Sequence, residues 1–106
     1  IINNHYFDVW STIQIGNNTW VDGKSSQFWT HGSIHTKTRN KNLSIVIKDD
    51  VYIGSACSFA PGVVIESVNL IGLGSVVTRS FTANETIIAG NPALIVKEAI
   101  DWRINW

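Results

Sequence analysis

The sequence predicts an all-β solenoid, and three observations predict it. Six apolar residues recur at intervals of six without a miss: Ile47, Ile53, Phe59, Ile65, Ile71 and Val77. Four positions after each stand Val51, Cys57, Val63, Asn69, Ser75 and then Phe81, most of them small. The same register shows upstream at Val9, Ile15 and Val21. Amphipathic helices repeat near 3.6 and half-buried strands near 2, so neither produces a period of six by itself. A coil of three short flat faces does, with one hexapeptide per face. Three hexapeptides, about 18 residues, then make one turn, and each turn buries its apolar side chains on the next.

Taken in order, residues 1 to 32 read as the first coils, with Ile15 and Val21 inward, Gly16 and Asp22 following them, and Thr19 and Ser25 at the small position. Val21 to Ile47 is 26 residues, four hexapeptides plus two, so something interrupts the coil. The interruption is residues 33 to 44, a polar excursion with Lys37, Arg39 and Lys41 on alternate positions. A long loop inside a compact repeat is usually functional or mobile. Residues 45 to 78 are the regular coils, in which Ile53 and Ile71 should stack directly. Residues 79 to 94 form a closing rung and turn that ends at Pro92. Residues 95 to 106 are expected to cap the end as a short helix burying Ile95, Ala99 and Ile100. A solenoid needs such a cover, because its last rung exposes apolar side chains and unpaired backbone.

Composition narrows the function. The chain has 106 residues and no net charge, which describes one domain and argues against nucleic acid as a partner. No apolar run is long enough to cross a bilayer, so no membrane insertion is expected of this segment. The one cysteine, Cys57, falls at a small inward position and reads as a buried small hydrophobe. It cannot form an internal disulfide, nothing indicates an oxidising compartment, and a cytoplasmic location is expected. The chain lacks methionine and begins with Ile1 and Ile2 already in repeat territory. It therefore reads as a single hexapeptide-repeat domain, 1–106, forming the C-terminal fragment of a longer protein.

Four segments carry a resemblance: Asp50-Val51-Tyr52-Ile53-Gly54-Ser55, Ala60-Pro61-Gly62-Val63, Ile71-Gly72-Leu73-Gly74-Ser75-Val76-Val77-Thr78 and Ile88-Ala89-Gly90-Asn91-Pro92-Ala93. In this order they resemble the hexapeptide-repeat acyltransferases, and within them the acetyl-CoA-dependent sugar O-acetyltransferase branch. The likeness is close over half the chain and loose over most of the rest. It implies a left-handed parallel β-helix of about four to five coils. The handedness rests on the resemblance alone, since crossovers between parallel strands are otherwise right-handed.

The resemblance also implies a reaction, the transfer of an acetyl group from coenzyme A to a saccharide hydroxyl. A protonated hydroxyl is a weak nucleophile, and a histidine is suited to take its proton. Of His5, His31 and His35, His31 follows Thr30 at the end of a coil, where such enzymes carry their catalytic histidine in a Thr-His or Ser-His pair. His31 is the expected base; its orienting partner is not identifiable, since Asp22 lies half a coil away. His35, in the excursion, and Trp29, two residues from His31, are expected to bind the acceptor. For the donor, Gly54, Ser55, Gly72, Gly74 and Ser75 would let the pantetheine arm approach the backbone. Thr78 and Arg79 would hold the nucleotide end, the guanidinium pairing with a phosphate. Leu94 stands where the family often has a lysine, and Lys97 is the substitute expected.

Outward residues Val46, Tyr52, Val64, Leu70 and Val76 are too apolar for solvent and predict a homotrimer with sites between subunits. Other readings stay open: N-acetylation of an amino sugar, a zinc site of three histidines as in carbonic anhydrases of this fold, and a non-catalytic β-helix serving oligomerisation. No metal is expected for the acetyltransferase.

Overall fold

The computed structural model describes residues 4–31 and 42–104. In chain order the strands are β1 (Tyr6–Phe7), β2 (Ile13–Ile15), β3 (Trp20–Val21), β4 (Gln27–Phe28), β5 (Ile45–Ile47), β6 (Val51–Ile53), β7 (Ser58–Phe59), β8 (Val64–Ile65), β9 (Asn69–Ile71), β10 (Val76–Val77), β11 (Thr86–Gly90) and β12 (Ala93–Lys97). They form three sheets, ordered β1-β4-β7-β10, β2-β5-β8 and β12-β11-β9-β6-β3. The chain visits the first, second and third sheets in turn, then starts again one level up. Four coils result; in the last, Phe81 bridges to Ile65 in place of a second-sheet strand. Every strand pairing is parallel except that of β11 with β12.

This architecture follows from the repeat. In a strand, alternate side chains point inward, so a two-residue strand commits one side chain to the core and a buried three-residue strand two, as at Ile45 and Ile47. Parallel register puts each such residue above its equivalent: Ile15, Ile47 and Ile65 in the second sheet, and Val21, Ile53, Ile71 and Ile88 in the third. Ile53 and Ile71 stack as the period requires, and both are fully buried. In the first sheet Phe7, Phe28 and Phe59 stack as parallel rings, with centroids 4.7 and 4.6 Å apart. The positions four residues further on, Val51, Cys57, Val63, Asn69, Ser75 and Phe81, are all buried. Asn69, the polar one among the larger of them, is satisfied: its Oδ1 accepts from the Thr86 N–H and its Nδ2 donates to Glu66 O and Ala83 O. Burial also raises the pKa of the Cys57 thiol.

The corners are set by backbone conformation. Asp50, Ala56, Gly62, Val68 and Gly74 stand six apart, and each has positive φ, between 57° and 81°. The turn thus comes three residues after each inward position. The glycines one residue after it, Gly54 and Gly72, have ordinary φ. Gly54 serves close stacking instead, since a Cβ there would lie 3.1 Å from Leu73 N in the coil above.

The first coil departs from strict hexapeptides. Phe7, not Val9, is the inward residue, and Val9 is 72% exposed. From Val21 the next inward residue is Phe28, seven on, and Ser26 rather than Ser25 occupies the small buried position. Phe7 pairs with Phe28, 21 positions later, so the lower coil is longer than the 18-residue coils above. The Phe7 and Phe28 rings stay stacked across this longer coil.

The C-terminal end also differs from expectation, for no helix is found among the described residues. After Pro92 the chain turns back as β12, antiparallel to β11. The open edge of β11 needs hydrogen-bond partners, and β-branched Ile95 and Val96 suit a strand. Ile95 and Ala99 are exposed and Ile100 is half-buried. The residue that covers the sheet is Trp102, tilted over Tyr52 at 5.4 Å with its Nε1 donating to Asp50 O at 2.6 Å. No helix of the described residues is long and apolar enough to cross a membrane.

Replacing Phe28 by alanine should remove the middle ring of the stack and cost about 3–5 kcal/mol of stability. Denaturant unfolding measures it; a loss below about 1 kcal/mol would show that the ring stack does not hold the coils together.

Candidate active site

Each coil crosses from the first sheet to the second along one edge of the prism. The crossing residues are Asp8 to Thr12, then Trp29 to His31, then Ala60 to Gly62, then Thr78 to Ser80. The residue leaving each strand donates to the coil above: Asp8 N to Phe28 O at 2.8 Å, Trp29 N to Phe59 O at 3.1 Å, Ala60 N to Val77 O at 2.9 Å. The ring stack therefore determines which side chains meet along this edge.

Its lower half holds a polar cluster. His31 Nδ1 lies 2.5 Å from Asp8 Oδ2. Thr30, fully buried, ties the two crossings together. Its Oγ1 donates to Asp8 O at 2.7 Å and accepts from the Ser11 N–H at 2.8 Å, and its backbone N–H donates to Asp8 Oδ2 at 3.2 Å. The Trp10 indole lies along the His31 imidazole, with centroids 5.0 Å apart and planes inclined by 23°.

Burial pushes the Asp8 carboxyl up, but the hydrogen bonds from His31 and Thr30 and the His31 charge together outweigh it and hold the carboxyl below its ordinary value. Asp8 is ionised at neutral pH and can only accept hydrogen bonds. In a neutral ring the proton must then sit on Nδ1, which leaves the Nε2 lone pair as the free base. The His31 side chain is 43% exposed and that of Asp8 12% exposed, so solutes reach the base more readily than its partner.

Beside His31 runs a cavity of about 320 Å³ lined by Trp29, His31, Ser58, Phe59, Ala60, Pro61 and Val76. At Pro61 it adjoins a second, of about 390 Å³, walled by Asn42, Leu43, Gly62, Val63, Thr78, Arg79 and Ser80. The Arg79 guanidinium rests 4.2 Å from the Phe81 ring centroid, and among the described residues no carboxylate pairs with it. The same edge thus offers an imidazole held by a carboxylate at one level and, two coils higher, a guanidinium with no carboxylate partner among the described residues.

Of the residues singled out in the sequence, His31 and Trp29 share the first cavity, and Thr78 and Arg79 share the second. Trp29 also packs on Tyr6 at 4.8 Å and donates from Nε1 to Gln27 Oε1. Gly54, Ser55, Gly72, Gly74 and Ser75 stack at a different edge, between the third and first sheets, where Gly74 N donates to Ser55 O. Ser75 is fully buried there, its hydroxyl donating to Gly72 O and accepting from Gly90 N–H. Lys97 is exposed on β12, opposite Ile87, and lines neither cavity. His35 lies outside the described residues. His5 is remote from His31 in role: its Nδ1 accepts from Ser26 N. Among the described residues no group of three potential metal ligands comes together.

The sequence reading missed Asp8 and Trp10. Counting back in eighteens from the upper coils does not bring residue 8 beneath residue 31. The available signal was the recurrence of phenylalanine at 7, 28 and 59, which places Asp8 directly under the Trp29–His31 crossing.

The coil geometry defines a parallel β-helix of hexapeptide repeats with a histidine–carboxylate pair on one edge. No family model matches the chain. It is 31% identical over 94 residues to the galactoside O-acetyltransferase of Escherichia coli (strain K12), covering 85% of this chain and 46% of that protein. Among solved structures, a hexapeptide-repeat acetyltransferase of Vibrio cholerae in complex with acetyl-coenzyme A superposes with a TM-score of 0.70 at 25% identity, over 92% of this chain and 66% of that one. The polysialic-acid-specific acetyltransferase NeuO gives a TM-score of 0.69 at 31% identity, over 85% and 40%. The chain is similar to hexapeptide-repeat acetyltransferases over most of its own length and has the left-handed β-helix of those structures. It spans about half the length of the curated relatives it matches.

Nitrogen-15 resonances of the His31 ring should show the neutral form protonated on Nδ1, and Asp8→Ala should abolish that preference. Protonation at Nε2 in the unmodified chain would refute the assignment. Because the Asp8 carboxyl is lowered on folding, its stabilising contribution is complete above the ordinary carboxylate value, about 3.9, and is lost only as pH falls through the lower folded value. Unfolding free energies of wild type and Asp8→Asn should therefore converge as pH falls below the ordinary carboxylate value.

Proposed function

We propose that this chain is the β-helix of an acetyl-CoA-dependent O-acetyltransferase acting on a saccharide hydroxyl, with His31 as general base. The observation that carries the reading is His31 itself, held through Nδ1 by an ionised carboxylate and bordering a largely apolar cavity. Removing the acceptor's proton calls for a neutral nitrogen oriented by a second group. As the hydroxyl oxygen attacks the thioester carbon, its proton passes to Nε2. The carbon–sulfur bond breaks, and the imidazolium returns the proton to the departing thiolate. Asp8 stabilises the positive ring in between and remains ionised.

The edge suits the donor. The thioester would lie by His31, the pantetheine arm past Ala60 and Pro61, and the phosphates near Arg79, whose guanidinium already rests on Phe81 and has free hydrogen-bond donors. Acetyl-CoA and coenzyme A occupy related structures. The saccharide acceptor is favoured by the names of relatives, a galactoside O-acetyltransferase and a polysialic acid acetyltransferase among them, and by Trp29 in the cavity wall. Indole faces are suited to sugar rings, being large and apolar with a polar N–H.

The small residues Gly54, Ser55, Gly72 and Gly74 stand on another edge, so they can reach this donor groove only from a neighbouring copy. A homotrimer about a threefold axis would bring that edge of one subunit against the His31 edge of the next. Light scattering at micromolar concentration should give three times the monomer mass; a monomer alone would dismiss the shared groove.

The decisive assay is acetyl transfer to a panel of saccharides. His31→Ala should lower kcat roughly a hundredfold to ten-thousandfold with little change in KM for acetyl-CoA. Arg79→Ala should do the reverse, raising KM for acetyl-CoA about tenfold through loss of a phosphate contact. Undiminished turnover in His31→Ala would place the base elsewhere.

A further inference from the structure

Asp8 restrains one nitrogen of His31, but a hydrogen bond at one atom leaves the imidazole plane free to tilt. The ring sits on an exposed corner, its side chain 43% accessible, so the core does not pack it. What lies along its face is Trp10. The indole is nearly parallel to the imidazole at 5.0 Å, and Trp10 is itself 73% exposed. A large aromatic side chain on the surface has little reason to hold one orientation unless something beneath fixes its backbone. Here the fully buried Thr30 does so. Its hydroxyl bonds Asp8 O on one side of Val9 and Trp10 and the Ser11 N–H on the other. Thr30 is also the residue preceding His31, so one side chain fixes both stacking partners at the same time.

From this arrangement we infer that Trp10 is a positioning residue for His31. It sets the plane of the imidazole so that Nε2 faces the acceptor, and it shields one face of the ring from water. The inference rests on His31 being the general base. The chemistry gives the contact a second use. When Nε2 takes the acceptor's proton, the ring becomes cationic, and the π-face of an indole attracts a cation more than that of any other side chain. The support therefore strengthens as the reaction proceeds, which is the condition for a contact to affect turnover rather than binding. Its effect should fall on kcat. Trp10 contacts neither Arg79 nor the walls of the upper cavity, so the donor's KM should stay as it is.

The test compares Trp10→Ala and Trp10→Phe in the full chain. Because Trp10 is mostly exposed, neither change empties a core site, and thermal unfolding checks that both variants fold. NMR couplings about the His31 χ1 angle should report a single rotamer in wild type and Trp10→Phe, and rotamer averaging in Trp10→Ala. With acetyl-CoA and methyl β-galactoside as probe substrates, Trp10→Ala should lose roughly tenfold to a hundredfold in kcat, as expected for a misoriented catalytic group. Trp10→Phe, which keeps a flat aromatic face, should recover most of it, and KM for acetyl-CoA should hold within twofold throughout. A single His31 rotamer in Trp10→Ala overturns the inference whether or not the galactoside is a substrate. So does an unchanged kcat where His31→Ala is inactive. An active His31→Ala variant would instead remove the general-base reading, leaving the rotamer result to decide whether Trp10 orders the ring.

Discussion

The structure depends on register between coils. A two-residue strand cannot hold a sheet together by itself, and the backbone ladder between neighbouring coils would tolerate a slip if nothing opposed it. What opposes it is the column of large inward residues at the centre of each face, most visibly the parallel rings of Phe7, Phe28 and Phe59. A slip of one residue would turn these side chains outward and bring polar neighbours in. The same register determines what happens outside. Because Phe7 lies under Phe28, the crossing that begins at Asp8 lies under the one that carries Thr30 and His31. The core column and the histidine–carboxylate pair are consequences of one alignment.

The site shows how a repetitive scaffold acquires a particular chemistry. The regular upper coils turn their corners with small or left-handed residues, and the side chains they bring together outside the core include the Lys48–Glu66 ion pair. The two lower crossings break the repeat. The first coil is longer, and the second carries the excursion that begins after His31. At these irregularities the chain gains side chains that can meet, such as Asp8, Trp10, Thr30 and His31. Thr30 combines both requirements, buried like a core residue and bonded like a turn residue. The upper end of the edge contributes differently, through an arginine that has no carboxylate partner among the described residues and whose guanidinium rests on the Phe81 ring.

Much of the fold was legible because the signal was periodic. Burial every sixth residue from Ile47 to Val77 follows from the spacing alone, and every residue in that series is buried. The end of the coil and the polar segment beyond it also pointed to His31 and Trp29, which line one cavity, while Thr78 and Arg79 line another. The C-terminal cap was not legible. Ile95, Ala99 and Ile100 are apolar at spacings that suit a helix, yet the chain runs as strand β12 through Lys97, because the open edge of β11 lies beside it and the turn at Pro92 delivers it there. Local pattern could not weigh that non-local demand for hydrogen bonds.

By itself, then, the sequence determined the repeat, the three-faced coil and the inward column, because each of these is set by spacings within a few residues. It also placed His31 at the end of a coil. Which carboxylate faces that histidine, which indole covers it, and which edge of the prism carries the cavities were decided only by tertiary structure. Those contacts join residues about 20 positions apart through the exact length of the lower coil. That length is set by how Phe7 and Phe28 stack in three dimensions, and no periodicity in the chain records it.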